Sequence, residues 1–211
     1  RAALEKRNAA LRRNAPETAW AFDPAVATAG SAVIKARLEW VDRNAPRWEA
    51  TCRALGESMP VMLRYRGRPE LADPAAWEEA LASARSRDLG TGATSVGPHR
   101  DDLGLELAGT PLRVAGSTGQ HRTAAIALKL CERDSLEEAH GDAPALLLDD
   151  VFAELDRDRQ EKLAGQLGIS GGNRQVFVTA PRADELPPGL DLPVYAVSQG
   201  TVTGPAQAVA A

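Results

Sequence analysis

Cysteine is scarce in this chain of 211 residues, which contains only Cys52 and Cys131. Two thiols in well-separated segments argue against a disulfide framework and against a metal site built on cysteine, so we expect both to be free and packed. Long hydrophobic runs are missing too. No apolar stretch approaches the roughly 20 residues that cross a bilayer, and no charged-then-apolar leader precedes a cleavage site. The default expectation is a cytoplasmic protein.

Lysine is rare as well, and the sequence lacks the lysine-containing loop by which many proteins bind phosphates. That loop has the pattern Gly-x-x-x-x-Gly-Lys-Ser/Thr, in which the glycines let the backbone wrap around the phosphates and the lysine neutralises them. The lysines are Lys6, Lys35, Lys129 and Lys162, and none follows such a pattern. A complete loop of this kind is therefore excluded from the sequence as it stands.

An overall positive charge, which a protein that coats nucleic acid usually has, is also lacking, because the net charge is −4. The charge is uneven, however: residues 1–53 hold ten basic and six acidic side chains. Such a segment can contact phosphates. It can equally be a solvated helix surface with ordinary i,i+4 ion pairs, and the sequence favours neither interpretation over the other.

Two adjacent carboxylates are the most informative feature that is present. Leu146 to Leu148 form a short apolar run typical of a buried strand in a parallel sheet, and Asp149 and Asp150 follow directly. Ligands bind at the carboxyl edge of such sheets, where a carboxylate pair can hold hydrated Mg²⁺ and orient an attacking water. The alternative is that the two acids end the strand and cap the next helix; for an isolated pair, we would favour it.

A second motif precedes this pair by about thirty residues. The segment Ser-Thr-Gly-Gln-His-Arg at 117–122 opens an apolar-rich helical pattern that continues to Leu130. A turn of this kind offers backbone N–H groups and the positive end of a helix dipole to an anionic oxygen. Taken alone, Ser117 is more simply explained as an N-cap residue.

The two motifs together resemble the signature motif, Walker B strand and D-loop of an ABC-type ATPase. Their residues are most similar to those of the RecF family. Gly97-Pro98-His99-Arg100-Asp101-Asp102 strengthens the resemblance, and residues 7–11 and 37–41 are similar to the family's helical arm. The resemblance covers nearly the whole chain. It implies an α/β fold: an ABC-type ATPase head, with a P-loop NTPase-like sheet and flanking helices, plus a helical arm subdomain (lobe II).

The resemblance also implies a domain division and a role for the missing loop. Residues 1–92 are expected to form the helical arm or lobe II region, and residues 93–211 the C-terminal part of the ATPase lobe. The Walker A segment of the family lies in its N-terminal portion and is absent from this chain, which begins at Arg1 within a predicted helix. We therefore expect a fragment that binds ATP weakly or not at all by itself.

By the same resemblance, Asp149 holds Mg²⁺ and Asp150 is the catalytic carboxylate. The signature turn is expected to contact the γ-phosphate of ATP bound to the opposite subunit of a dimer. Thr179 is expected to contribute a hydroxyl, although Ala180 and Pro181 follow it where many ABC ATPases have a histidine. The implied signature contacts are Ser117, Thr118, Gly119 and Gln120; the D-loop and dimer interface are Ala153, Glu154, Leu155 and Asp156; the candidate DNA or phosphate contacts are His99, Arg100, Arg7, Arg12 and Arg13.

The function that the resemblance implies is that of a recombination mediator in DNA repair and replication. An ATP-dependent homodimer is expected to bind DNA at single-strand gaps and their duplex junctions, with RecR and RecO helping RecA to displace single-strand-binding protein. Hydrolysis is expected to be slow, because Asp150 is one methylene shorter than the usual Glu. The alternatives are the C-terminal half of another SMC-like head and a DNA-binding adaptor that no longer hydrolyses ATP.

Local patterns predict the elements that carry these motifs. We expect helices over residues 1–14, from Asp23 to about Asn44 before Pro46 interrupts, from Asp73-Pro74 to about Asp88, and over 156–167. Strands are predicted at 61–65, 146–148 and 175–179, a hairpin from 103–107 and 111–114, and two short strands near Val194 and Val202.

Overall fold

The fold is that of a computed structural model, which describes residues 1–153, 155–167, 174–187, 190 and 192–206. The chain divides into two compact units. The first comprises residues 1–47 and 61–111, and the second comprises the described residues among 48–60 and 112–211. The functional division predicted between residues 92 and 93 stays a prediction. Among the residues that the structure describes, no helix combines the length and the apolar character that crossing a bilayer requires.

The first unit combines helices with a small antiparallel sheet. The sheet has the order β1-β2-β3, and the core lies where α3 meets α4 through side chains such as Ile34 and Trp77. The elements are α1 (Ala2–Arg12), α2 (Pro16–Trp20), α3 (Asp23–Ala54), β1 (Val61–Arg66), two 3-10 turns (Pro69–Ala72 and Pro74–Ala76), α4 (Trp77–Thr91), β2 (Asp102–Leu107) and β3 (Thr110–Pro111). The predicted strand at 61–65 and the helix that begins near Asp73-Pro74 are confirmed.

The long helix α3 corrects one prediction, because it passes through Pro46 and ends only at Ala54. An internal proline removes one backbone hydrogen bond and costs about 3 kcal/mol. Buried residues on one side of the helix offset that cost: Ile34, Val41, Trp48 and Cys52 are all at most 6% exposed and follow helical spacing across the proline. Packing therefore overrides the local signal for termination.

The prediction that Arg7 contacts DNA or phosphate is wrong. Its side chain is fully buried and therefore unavailable for such a contact. Its Nε donates to Asp23 Oδ1 at 2.8 Å, and one terminal nitrogen donates to Asp88 Oδ2 and Thr94 Oγ1, both at 2.8 Å. These bonds join α1, the start of α3, the end of α4 and the loop that follows it. The buried guanidinium is thus a structural centre of the first unit, whereas Arg12 and Arg13 are exposed.

The second unit contains a parallel strand pair and an antiparallel hairpin. Its described elements are α5 (Leu112–Ala115), α6 (Thr118–His140), β4 (Leu146–Asp149), α7 (Arg157–Gln166), β5 (Val176–Thr179), a 3-10 turn (Ala183–Glu185), β6 (Val194–Ser198) and β7 (Thr201–Ala206), together with the end of α3. The parallel pairing of β4 with β5 confirms the predicted sheet type. Cys52 and Cys131 are buried, as expected, and burial raises the pKa of the Cys52 thiol to about 12.

Two details of the predicted strands are wrong. Leu147 is 74% exposed, while Leu146 and Leu148 are buried, so β4 is buried on one side only among the described residues. The predicted hairpin does form, with positive φ at Ala108 and Gly109, but its second strand ends at Pro111. Helix α5 follows instead, because the Leu112 carbonyl accepts a backbone hydrogen bond from Gly116 at 2.7 Å, which closes a helical turn.

Replacing Arg7 with Met is expected to lower the free energy of unfolding by about 3–5 kcal/mol, because removal of one partner leaves the Asp88 carboxylate buried without its counter-charge. Urea unfolding followed by circular dichroism measures the change. The matched control is Arg13→Met, which removes an exposed arginine close by in the sequence and should change stability by less than about 0.5 kcal/mol. Equal effects of the two substitutions would contradict the buried role of Arg7.

Candidate functional site

The parallel pairing of β4 with β5 places Asp149 opposite Thr179 at the carboxyl ends of both strands. The Thr179 hydroxyl donates a hydrogen bond to Asp149 Oδ1, which leaves Asp149 Oδ2 for another partner. Asp149 is exposed at this edge. Its predicted position at the end of a strand in a parallel sheet is confirmed, and the geometry presents a carboxylate to a ligand that approaches from solvent.

Asp150 turns sharply away from the strand. Its φ is 50°, in the left-handed region that aspartate tolerates better than most residues. Its backbone N–H donates to the Thr179 carbonyl at 3.1 Å, which extends the pairing of the two strands by one residue. Its Oδ1 is buried without a hydrogen-bond partner. A buried acceptor without a partner is costly, so the contacts of the folded chain alone do not explain the position of the Asp150 carboxylate.

The turn before α6 is closed by a reciprocal pair of hydrogen bonds. The Ser117 hydroxyl accepts from the Gln120 backbone N–H at 3.3 Å, and Gln120 Oε1 accepts from the Ser117 backbone N–H at 2.9 Å. This capping box explains the preference for Ser and Gln at this spacing. Ser117 and Thr118 are exposed, so the start of a helix of 23 residues opens to solvent, with its positive dipole end available to an anion.

Gly119 lies close to a side chain of α7. A Cβ at this position would lie 3.1 Å from a terminal nitrogen of Arg159. The Arg159 guanidinium is itself held near three other groups, at 3.5 Å from the Thr123 hydroxyl, 3.6 Å from Asp156 and 3.9 Å from Glu57. The guanidinium beside the start of α6 is therefore paired with two carboxylates. Arg159 was not predicted from the sequence, since nothing in the pattern of α7 indicates what its side chain approaches.

Arg122 connects α6 to the segment after β4. One terminal nitrogen of its guanidinium donates to the Asp150 carbonyl at 3.1 Å and to the Ala153 carbonyl. Arg122 stands in the quoted motif Ser-Thr-Gly-Gln-His-Arg, but its contacts were not predicted. The sequence indicated only where Arg122 lies: it follows Ser117 by five residues, which places it in the second turn of the same helix.

The predicted D-loop is only partly described. Ala153 is partly exposed and Leu155 is buried, while Glu154 lies outside the described residues. Asp156 accepts a hydrogen bond from the Arg159 backbone N–H at 2.9 Å and caps α7, which is the structural role that the sequence left open beside an interface role.

His99 and Arg100 belong to the first unit and share one acceptor. The Thr94 carbonyl lies 2.8 Å from His99 Nε2 and 3.3 Å from both Nε and a terminal nitrogen of Arg100. Both residues are nevertheless exposed. They are tied to their own unit and retain surface for a phosphate, so the contacts leave both predicted roles in place.

The residues at the end of β4 fit a hydrated magnesium ion that also contacts phosphates. Mg²⁺ at such sites takes one or two carboxylates and completes its shell with water and phosphate oxygens. Asp149 has a free carboxylate oxygen and Asp150 an orphaned one. Among the described residues, no group of three or more histidines, cysteines or carboxylates is arranged to hold a metal ion.

An ABC-type ATPase head has two features that are present here. One is a pair of aspartates after a parallel strand, and the other is a serine-capped glycine turn at the start of the preceding helix. The whole fold agrees. Over 95% of its length, the chain is similar to a solved structure of the recombination mediator protein RecF-ATPrS in the RecFOR pathway, with a TM-score of 0.75 and 27% identity, and the match covers 55% of that chain. A structure of RecF-ATP gives a TM-score of 0.74 at 26% identity.

Sequence relatives point to the same family. The chain is 36% identical over 212 residues to the DNA replication and repair protein RecF of Anaeromyxobacter sp. (strain Fw109-5), covering 95% of this chain and 57% of that protein. It is 37% identical over 190 residues to the protein of the same name from Myxococcus xanthus (strain DK1622), covering 84% and 50%. No protein-family model matches the chain. The chain belongs to the RecF family, and it spans about half the length of the curated relatives it matches.

The capping role of Ser117 gives a test of the turn itself. Ser117→Ala removes the side-chain acceptor and is expected to lower the free energy of unfolding by about 1 kcal/mol, whereas Ser117→Asp keeps an acceptor and should be nearly neutral. Thermal or urea unfolding of the two variants measures the difference. Equal stabilities of the Ala and Asp variants would show that the capping box contributes nothing.

Proposed function

We propose that this chain contributes the signature turn, the metal-binding aspartate and the D-loop of an ATP-dependent recombination mediator in DNA repair and replication. The observation that carries the proposal is the edge where β4 ends, with Asp149 exposed and Asp150 Oδ1 buried without a partner. An unpaired carboxylate oxygen beside an exposed carboxylate suits a hydrated metal and a reacting water. The names of the similar proteins support the same function.

In the proposed reaction, Asp149 contributes its second carboxylate oxygen to a magnesium ion, directly or through water. Thr179 keeps the Asp149 carboxylate oriented through its hydroxyl. Asp150 orients the attacking water and accepts its proton. Bound Mg²⁺ neutralises the charge of the phosphates, and catalysis of phosphoryl transfer otherwise rests on positioning.

We also propose that the signature turn acts across a homodimer. Ser117 and Thr118 are exposed, and the first N–H groups of α6 give that surface a positive character suited to a terminal phosphate. The glycine at 119 allows close approach. In the ABC architecture such a turn meets nucleotide held by the opposite subunit, so ATP is the group that joins two copies.

DNA is the proposed macromolecular ligand, with RecR- and RecO-like proteins as partners and single-strand gaps with their duplex junctions as the site of action. The similar structures come from the RecFOR pathway by their own description. Within the first unit, the exposed residues Arg12, Arg13, His99 and Arg100 are the proposed contacts to DNA or phosphate. Arg7 is removed from that set because it is buried.

In a protein of full family length that carries this sequence, Asp150→Asn is expected to lower ATP turnover by about 100-fold, because the amide cannot accept a proton from the attacking water. ATP-dependent dimerisation should persist, since the amide keeps the size and polarity of the side chain. Phosphate release measured with gapped DNA present gives the turnover, and light scattering gives the dimer. Unchanged turnover removes Asp150 from the catalytic role.

The same assay addresses the second candidate function, a DNA adaptor that retains the head fold without hydrolysis. The absence of a histidine after Thr179 and the short Asp150 favour that candidate. It predicts that the unaltered protein dimerises with ATP and binds gapped DNA, yet shows no turnover above that of Asp150→Asn.

Ser117→Asp isolates the proposed phosphate contact from folding, because aspartate caps a helix as well as serine does. Its negative charge is expected to repel the terminal phosphate and to abolish the ATP-dependent dimer, while ATP binding by each monomer continues. The matched control is Ser117→Asn, which caps equally well and has nearly the same size without the charge. A dimer of normal stability in the Asp variant would contradict a phosphate contact at this turn.

A further inference from the structure

Arg122 has an unusual combination of partners for a residue to which neither the family resemblance nor the proposed reaction assigns a role. Its side chain is partly buried, and one terminal nitrogen donates both to the Asp150 carbonyl and to the Ala153 carbonyl. The two N–H bonds of that nitrogen can serve one acceptor each. Hydrogen bonds from a charged donor are stronger than those between neutral groups, so the pair of bonds fixes the backbone at both ends of residues 150–153.

The segment that Arg122 holds is also anchored from within. Val151 is 7% and Phe152 1% exposed, so both side chains are packed in the second unit. Asp150 itself adopts the left-handed conformation with φ 50°, which costs free energy and persists only when the surroundings hold it. The direction of the Asp150 side chain therefore depends on a backbone conformation, and that conformation depends in part on Arg122.

Arg122 lies on the same helix as the signature turn. Ser117 to Gln120 form the cap and first turn of α6, and Arg122 follows within the next turn. Thr123, its neighbour, approaches Arg159, which in turn lies near Asp156 at the end of the D-loop. A rigid helix thus carries at its exposed end the proposed phosphate contact and, one turn later, the donor that holds the catalytic aspartate.

We infer that Arg122 is a positioning residue, which holds Asp150 and the start of the D-loop in register with the signature turn. When the turn contacts a phosphate held by the partner subunit, any shift of α6 is passed through Arg122 to the backbone that orients Asp150. Dimer formation and hydrolysis are then linked through this one side chain. This inference rests on the proposed function. It assigns Arg122 no contact with ATP, metal or the attacking water.

The test compares Arg122→Ala and Arg122→Lys in a protein of full family length. Arg122→Ala is expected to lower kcat by about 100-fold, the scale seen when reacting groups are misplaced by about 1 Å, with the KM for ATP changed less than about threefold. Arg122→Lys retains a cationic donor of shorter reach and should recover part of the loss. The control is Lys129→Ala, which removes an exposed cation from the same helix and should leave turnover unchanged.

Two further readouts separate positioning from general stability. Hydrogen–deuterium exchange, in the absence of nucleotide, should accelerate in the peptide that spans residues 149–156 of Arg122→Ala, with the exchange of other peptides unaltered. Combining Arg122→Ala with Asp150→Asn should lower kcat no further than Asp150→Asn alone, because a residue that acts through Asp150 adds nothing once Asp150 is disabled.

Several outcomes overturn the inference. They are a normal kcat in Arg122→Ala, losses that multiply in the double variant, or exchange that rises throughout the protein. Failure of the proposed function looks different: the unaltered protein then shows no ATP turnover, or Asp150→Asn turns over normally. If Asp150→Asn abolishes turnover and Arg122→Ala does not, the proposed function stands and the role of Arg122 is refuted.

Discussion

The parallel pairing of β4 with β5 is the constraint on which the rest of the site depends. It puts the Thr179 hydroxyl against Asp149 and lets the Thr179 carbonyl accept the Asp150 N–H, so two neighbouring carboxylates leave the strand in fixed but different environments. One is exposed to solvent, and the other has a buried oxygen without a partner. A strand that ended one residue earlier would have neither arrangement.

Helix α6 supplies the complementary half of the chemistry. Its capped start is exposed, and its second turn reaches the backbone beyond β4 through Arg122. The proposed phosphate contact and the proposed catalytic carboxylate thus belong to one hydrogen-bonded assembly within a protomer, even though the turn is proposed to meet a phosphate held by another copy. This arrangement gives a physical reason why dimer formation and hydrolysis can be linked.

Local sequence patterns predicted those parts of the molecule whose cause is local. The apolar run before Asp149, the N-cap residue Ser117 and the Asp-Pro before α4 each act within a few residues, and the predicted elements are present. Features that depend on distant partners were not predictable. Helix α3 continues through Pro46 because of packing, and Arg7 is buried because Asp23 and Asp88 reach it from other helices. The contacts of Arg122 and Arg159 were not predicted for the same reason.

The most direct test of the central claim is a structure of a full-length RecF-family protein carrying this sequence, determined with Mg²⁺ and a slowly hydrolysed ATP analogue. We expect Asp149 to contact the metal directly or through one water. We also expect the Ser117 hydroxyl of one protomer to lie within hydrogen-bonding distance of the terminal phosphate held by its partner. A metal bound away from Asp149, or a Ser117 turn remote from every phosphate, would contradict the proposed site.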